Sequence, residues 1–212
     1  MSRVLIIFAH PTLEKSRVHR RLVEQVPRNE AFTLNDIYEA YPDFDIDVGR
    51  EQDLLLGHDL IILQHPLFWY SVPPLLKQWI DLVLEHGWAY GSQGTALRGK
   101  SVTSLISTGG AEPAYQPGGY NHYTIRQLLA PIEQTFRLCG MEYLDPYVIH
   151  GTHRMNLDDI AVEAERYRQF LSALPGLASP ASLATPPSPP SPPSPVTPPS
   201  PPPGPEEIVQ SP

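Results

Sequence analysis

Short unbroken apolar runs alternate along this chain with stretches in which apolar positions recur every three or four residues. Val4-Leu5-Ile6-Ile7-Phe8 is flanked by polar or turn-forming residues, the pattern of a parallel strand buried on both faces. A similar run, Leu60-Ile61-Ile62-Leu63, centres a strand expected over 59–64. Weaker strand patterns cover 32–37, 102–106 and 143–149. Helical periodicity predicts a helix over 16–26, with Val18, Leu22 and Val26 on one face and Ser16 as N-cap. Further helices are expected over 50–56, stopped by Gly57, and over 73–85, with proline in the first turn where it is tolerated. A long helix is expected over 123–138, bent at Pro131 and capped by Gly140, and a last one over 157–174.

Five strands alternating with five helices imply an α/β fold, a doubly wound parallel sheet with helices on both faces. The dinucleotide-binding strand order calls for G-x-G-x-x-G after the first strand, and Ala9-His10-Pro11-Thr12 has no such pattern. The flavodoxin-like five-stranded order 2-1-3-4-5 carries no such requirement and is the expected topology.

Composition divides the chain in two. Of its 26 prolines, sixteen fall at or after Pro175, so a folded domain is expected over 1–174 and a tail over 175–212. Repeated Pro-Pro-Ser with few large apolar side chains predicts a disordered tail of polyproline-II bias. It reads as a solvated extension, or as a docking motif for a proline-binding partner. The net charge of −8, to which the tail adds only Glu206 and Glu207, argues against nucleic-acid binding. Cys139 is the only cysteine, which excludes an intramolecular disulfide and a cysteine-based metal cage. It is expected in the core. The N-terminal apolar run is too short for a signal peptide or a membrane span, so the expected address is the cytoplasm.

In an open parallel sheet, ligands bind outside the carboxyl ends of the strands. Three loops meet there. The first holds His10 and leads to Ser16, Arg17, Val18 and His19, where a helix N-terminus offers free N–H groups to a phosphate and Arg17 or His19 offers positive charge. The second, Leu67-Phe68-Trp69-Tyr70, sets an apolar residue and three aromatics at a strand end. They suit a planar ligand, or else a dimer interface or local core. The third begins Ser107-Thr108-Gly109-Gly110, whose backbone can approach a ligand edge. It continues to Tyr120 and His122, two groups able to supply protons. His150 and His153 lack a carboxylate partner in a zinc pattern, and no metal site is expected.

These residues resemble the flavodoxin-like NAD(P)H:quinone oxidoreductase family, in particular the ancillary proteins of glutathione-regulated potassium-efflux (Kef) systems. The likeness covers about residues 3–172. It is carried by Ile7-Phe8-Ala9-His10-Pro11, by Tyr41-Pro42-Asp43-Phe44-Asp45-Ile46-Asp47, and by the run from His65-Pro66-Leu67-Phe68-Trp69-Tyr70 to Gln78-Trp79-Ile80-Asp81. His86-Gly87-Trp88-Ala89-Tyr90-Gly91, Gly94-Thr95-Ala96-Leu97-Arg98-Gly99-Lys100 and Thr108-Gly109-Gly110 extend it.

The resemblance implies FMN as cofactor and NADH or NADPH as co-substrate. The FMN phosphate and ribityl groups would lie against His10 and 16–19, the ring against 67–70, and its pyrimidine edge against 107–110. His122, nine residues before Pro131, resembles the family's histidine proton donor. Neither Tyr115 nor Tyr120 stands at the spacing of the partner tyrosine. A quinone substrate, a homodimer and a membrane potassium-efflux antiporter as partner are implied, with the protein peripheral at the inner face of the membrane. Two alternatives are a non-catalytic flavin-binding subunit of the efflux channel and a one-electron flavodoxin carrier. The carrier's hydroxyl-rich loop, T/S-x-T-G-x-T, is absent after the first strand.

Overall fold

The computed structural model describes residues 2–174, and the tail expected over 175–212 lies outside them. Strands β1 (Val4–Phe8), β2 (Phe32–Asp36), β3 (Leu60–Pro66) and β4 (Ser101–Ser107) form a parallel sheet. Its edge is made of two short pieces, β5 (Glu142–Tyr143) and β6 (Tyr147–Ile149), which both pair with β4. The order is β2-β1-β3-β4-β5, the one expected from alternating elements without G-x-G-x-x-G after the first strand. The single strand expected over 143–149 is interrupted at Asp145-Pro146. Proline brings no N–H to a ladder, and the Asp145 carbonyl instead accepts from Thr103 Oγ1 at 2.9 Å.

Alternation within the buried strands divides the core between the two faces. Leu5 and Ile7 of β1 and Ile61 and Leu63 of β3 face α3 (Val48–Leu56), α4 (Pro74–Val83) and α6 (Ala130–Leu138), through Leu55, Leu75, Trp79, Val83 and Phe136. Val4, Ile6, Phe8, Leu60 and Ile62 face α1 (Arg17–Val23) and α7 (Leu157–Ala173), through Val18, Leu22, Ala164, Tyr167 and Leu171. Each fully buried large aliphatic side chain contributes about 1.5–3 kcal/mol. Cys139 is buried as expected, and burial pushes its thiol up to about 11.

Two helices differ from the periodic pattern, each because of a proline. The helix expected over 16–26 ends at Val23, and Gln25 and Val26 make tighter bonds back to Leu22 and Val23. Pro27 follows and disfavours helical backbone in Val26. The helix expected over 123–138 is two, α5 (Ile125–Leu128) and α6, separated at Leu129. In a continuous helix the Pro131 ring would clash with the carbonyl four residues earlier. A break lets it sit in the first turn of α6, and Gly140 (φ 75°) follows that helix as the expected cap. A short helix, α2 (Ile37–Ala40), lies where none was expected. Asp36 starts it by accepting from the N–H groups of Tyr38 and Glu39.

Candidate active site

The carboxyl ends of β1, β3 and β4 bring the three loops together, and each pair of loops is tied by a contact. His10 and Phe68 stack edge-to-face with ring centroids 6.2 Å apart, which joins the first loop to the second. His19 Nε2 lies 2.8 Å from Ser107 Oγ, which joins the first to the third. The Leu67 N–H donates to the Ser107 carbonyl at 2.8 Å, and the Tyr70 hydroxyl donates to Asn121 Oδ1 at 3.1 Å. These join the second to the third.

Ser16 caps α1 as expected: its Oγ accepts from the His19 N–H at 3.1 Å. Among the described residues the N–H groups of Arg17 and Val18 have no acceptor. The side chains behave differently from one another. Val18 is part of the core, so only its backbone is available to a ligand. Arg17 is exposed, and its Nη2 donates to the Met155 carbonyl at 2.7 Å. His19 is buried, and burial, with His10 and His65 nearby, lowers its pKa to about 3. The expectation that His19 contributes positive charge is therefore corrected: its imidazole is neutral.

A cluster of buried imidazoles underlies the site. His10 and His19 have ring centroids 5.1 Å apart. Burial lowers the pKa of His10 and takes His65 down to about 4. His65 Nδ1 donates to the Pro66 carbonyl at 2.9 Å, which leaves Nε2 as an acceptor. Among the described residues, His65 Nε2, His19 Nδ1 and Gln64 Nε2 are buried without a hydrogen-bond partner. Buried polar atoms are usually paired, so three orphans at one strand end mark a place where a ligand or water completes the structure. Gln64 closed the strand expected over 59–64 and His65 stood at the head of the second loop, and neither was given a role from the sequence.

The second loop is a tight hairpin. Phe68 and Ser71 exchange backbone hydrogen bonds at 3.1 and 2.9 Å, and the two residues between them, Trp69 (φ 48°) and Tyr70 (φ 64°), are left-handed. Paired left-handed residues favour Asn-Gly, and aromatics there store strain, as functional sites often do. The turn holds Trp69 93% exposed, with Phe68 and Tyr70 partly exposed beside it.

In the third loop the N–H groups of Gly109 and Gly110 have no acceptor among the described residues. Tyr115 lies against this loop: a methyl placed on Gly110 would stand 3.3 Å from the Tyr115 hydroxyl oxygen. Tyr120 is 87% exposed, and His122 is also exposed, with a left-handed backbone (φ 63°) and its N–H on the Gly119 carbonyl.

A fourth segment, 150–155, completes the rim. His150 Nδ1 is 3.1 Å from Thr108 Oγ1, and a methyl on Gly109 would strike the His153 ring at 2.4 Å. It follows β6, so the rule that gathered the other loops also places it here, once β6 is known to pair with β4. Among the described residues, no group of three or more His, Cys, Asp or Glu side chains could hold a metal ion, and no helix is long and apolar enough to cross a membrane.

The doubly wound sheet, with free N–H groups at the start of α1 and at the diglycine and a displayed aromatic turn between them, defines a flavodoxin-type binding protein. Sequence comparison agrees. The profile of the family described as Flavodoxin-like fold matches residues 2–171, and the chain belongs to that family. A glutathione-regulated potassium-efflux ancillary protein KefF from Klebsiella aerogenes is 45% identical over 79% of this chain and 94% of its own. Among solved structures, a general stress protein 14 from Treponema denticola in complex with FMN is 36% identical, covering 81% of this chain and 98% of that one (TM-score 0.75). An NADPH-quinone reductase from P. pentosaceus is 34% identical, covering 80% and 97% (TM-score 0.72). A chain described as a thermophilic tryptophan halogenase from Streptomycin violaceusniger is 46% identical over 78% of this chain and 96% of that one, with the same fold (TM-score 0.75).

Proposed function

We propose that this protein is an FMN-dependent NAD(P)H:quinone oxidoreductase acting as a homodimer. The observation that carries the reading is the set of free backbone donors at the carboxyl edge of the sheet, above buried imidazoles and beside an exposed aromatic turn. These residues suit FMN. The N–H groups of Arg17 and Val18 and the Ser16 hydroxyl would hold the phosphate, with His10 and His19 lining the floor. Leu67, Phe68, Trp69 and Tyr70 offer an apolar shelf for a planar ring. The free N–H groups of Gly109 and Gly110 suit its electron-rich pyrimidine edge, while Ser107 and Thr108, whose hydroxyls are engaged within the protein, hold that loop in place.

FMN held by these residues would supply two-electron, hydride-level redox chemistry between NAD(P)H and a quinone. The protein's own residues orient and protonate. The aromatic shelf excludes water and stacks whichever planar substrate enters. The diglycine N–H groups stabilise negative charge at the ring edge without reorganisation. His122 holds the proton for the quinone oxygen, assisted by Tyr120 beside it or by Tyr115, whose hydroxyl stands at Gly110.

The exposed group of Phe68, Trp69, Tyr70, Tyr120 and Tyr123 supports a two-fold partner that covers the site. The likeness to a KefF ancillary protein supports association with a membrane potassium-efflux system, with the protein peripheral at the inner face of the membrane. Regulation and turnover are compatible uses of one flavin site.

Purified protein titrated with FMN is expected to quench its fluorescence at one equivalent per chain and then to oxidise NADH or NADPH with a soluble quinone. Light scattering is expected to give a dimer. A protein that leaves FMN fluorescence unchanged overturns the reading.

A further inference from the structure

His150 was read from the sequence only as half of a failed metal pair, yet it is joined to the loop that carries the free diglycine donors. Thr108 is 1% exposed, and its hydroxyl has two polar neighbours. Its Oγ1 donates to the Gly110 carbonyl at 2.9 Å and lies 3.1 Å from His150 Nδ1. A hydroxyl has one proton. With that proton on Gly110, Oγ1 can only accept from His150, so Nδ1 must carry a hydrogen. The neutral ring then has its lone pair at Nε2, and any further proton is added there.

We propose that His150 is a positioning residue of the diglycine loop, donating from Nδ1 to Thr108 in both charge states, and that a proton taken up at Nε2 adds positive charge behind the loop without disturbing that bond. Its effect on cofactor rests on the FMN reading above. The tautomer stands on the geometry alone.

The loop is unusually well fastened on this side. The Thr108 N–H donates to the Ile149 carbonyl, and the Thr108 carbonyl accepts from the Thr152 N–H and hydroxyl at 3.0 and 3.1 Å. The Gly151 N–H donates to the Gly110 carbonyl at 2.9 Å. The Thr108 hydroxyl is the remaining strut, and donation from His150 Nδ1 keeps its proton directed at the Gly110 carbonyl. His150 is half-buried, so its ring can exchange protons with solvent. Burial lowers its pKa, and Glu112 opposes that shift. Other titratable groups around it are Tyr115, with ring centroids 5.6 Å away, and His153 and Arg154 on its own segment. With FMN in place, negative charge on its reduced form would favour proton uptake from water at His150 Nε2.

Three variants separate the parts of the proposal. His150→Asn keeps an N–H donor near the place of Nδ1 but cannot titrate. His150→Phe removes donor and charge, and Thr108→Val removes the strut. In apo protein, nitrogen-15 NMR of the His150 ring is expected to show hydrogen on Nδ1 at pH 8; a ring protonated on Nε2 alone overturns the proposal. In FMN-loaded protein, redox titration from pH 8 to 5 is expected to show an extra proton per electron pair. That proton adds up to a tenfold change in equilibrium per pH unit, about 30 mV for a two-electron couple. His150→Asn should lose the extra slope and keep FMN affinity within about threefold, whereas His150→Phe and Thr108→Val should weaken FMN about tenfold, as expected for one lost hydrogen bond. Identical slopes in wild type and His150→Asn overturn the charge role. Failure of every form to take up FMN would overturn the flavin reading, and the NMR tautomer then decides the positioning claim by itself.

Discussion

Two buried polar clusters lie in this domain, and they are built on opposite terms. Under α3 and α4, the fully buried Glu51 accepts from Asn35 Nδ2 at 2.7 Å, from the Tyr41 hydroxyl at 2.7 Å and from Trp79 Nε1 at 2.8 Å, and pairs with Arg50. At the carboxyl ends of β1 and β3, His19, Gln64 and His65 each leave one polar atom without a partner. The first cluster is closed by the protein's own groups and serves stability. The second is left incomplete, beneath the loops of the candidate site. Completeness of hydrogen bonding, and not the mere burial of polar residues, distinguishes a structural network from a binding site.

The sharpest way to break the closed cluster is to remove its centre. Glu51→Ala would orphan the Asn35, Tyr41 and Trp79 donors at once and is expected to cost about 3–5 kcal/mol, read as a lower urea midpoint. A loss below about 1 kcal/mol would show that the network is dispensable and that the contrast is wrong. For the open site, the largest effect is expected from His122→Ala. It should slow the quinone half-reaction about 10²-fold or more, roughly 3 kcal/mol, with little change in FMN content. Stopped-flow reduction by the nicotinamide should suffer less, since that step needs no proton for the quinone. Equal small effects on both steps would leave His122 as an ordinary loop residue.

The open cluster should also respond to acid. Folded His19 and His65 stay neutral down to about pH 3 and 4, whereas unfolded imidazoles bind protons below about 6.5. The unfolded state therefore gains protons first as pH falls, and stability is lost below pH 6.5. For the two rings together the loss between pH 6.5 and 5.5 is about 2 kcal/mol, and His65→Gln should remove about half of that slope. A flat profile would mean that the folded rings take up protons as readily as the unfolded ones. The smallest effect concerns the strained turn. Replacing Trp69 by Asn and Tyr70 by Gly supplies the residues that left-handed turns prefer, and should stabilise apo protein by about 1 kcal/mol while weakening FMN and quinone turnover. Stabilisation with full activity would separate the strain from function.

Much of the fold was legible because its signals are local. An unbroken apolar run such as Val4–Phe8 fits no place but the middle of a sheet covered on both sides, and Ser16 before Val18 and Leu22 announces a helix start. The proline effects were harder to read. Pro131 was visible, but whether it bends a helix or divides it depends on the packing of Ile125 and Ile132, and Pro146 interrupts an edge strand whose gap Thr103 fills from the neighbouring strand. The three loops of the candidate site were legible by topology. The chemistry inside them was not: the charge state of His19, the orphaned atoms of Gln64 and His65, and the contact of Tyr115 with Gly110 all arise from groups distant in sequence.

The amino-acid sequence by itself determined the alternation of strands and helices, the doubly wound class, the family likeness and the segments that gather at the sheet edge. Those are properties of hydrophobic period, caps and motifs, which act over a few residues. Tertiary structure alone decided which imidazoles are neutral, which donors stay free and which residue meets the diglycine loop. Desolvation and hydrogen-bond partnership depend on what the rest of the chain brings within about 3 Å, and His150 meets Thr108 only because β6 pairs with β4.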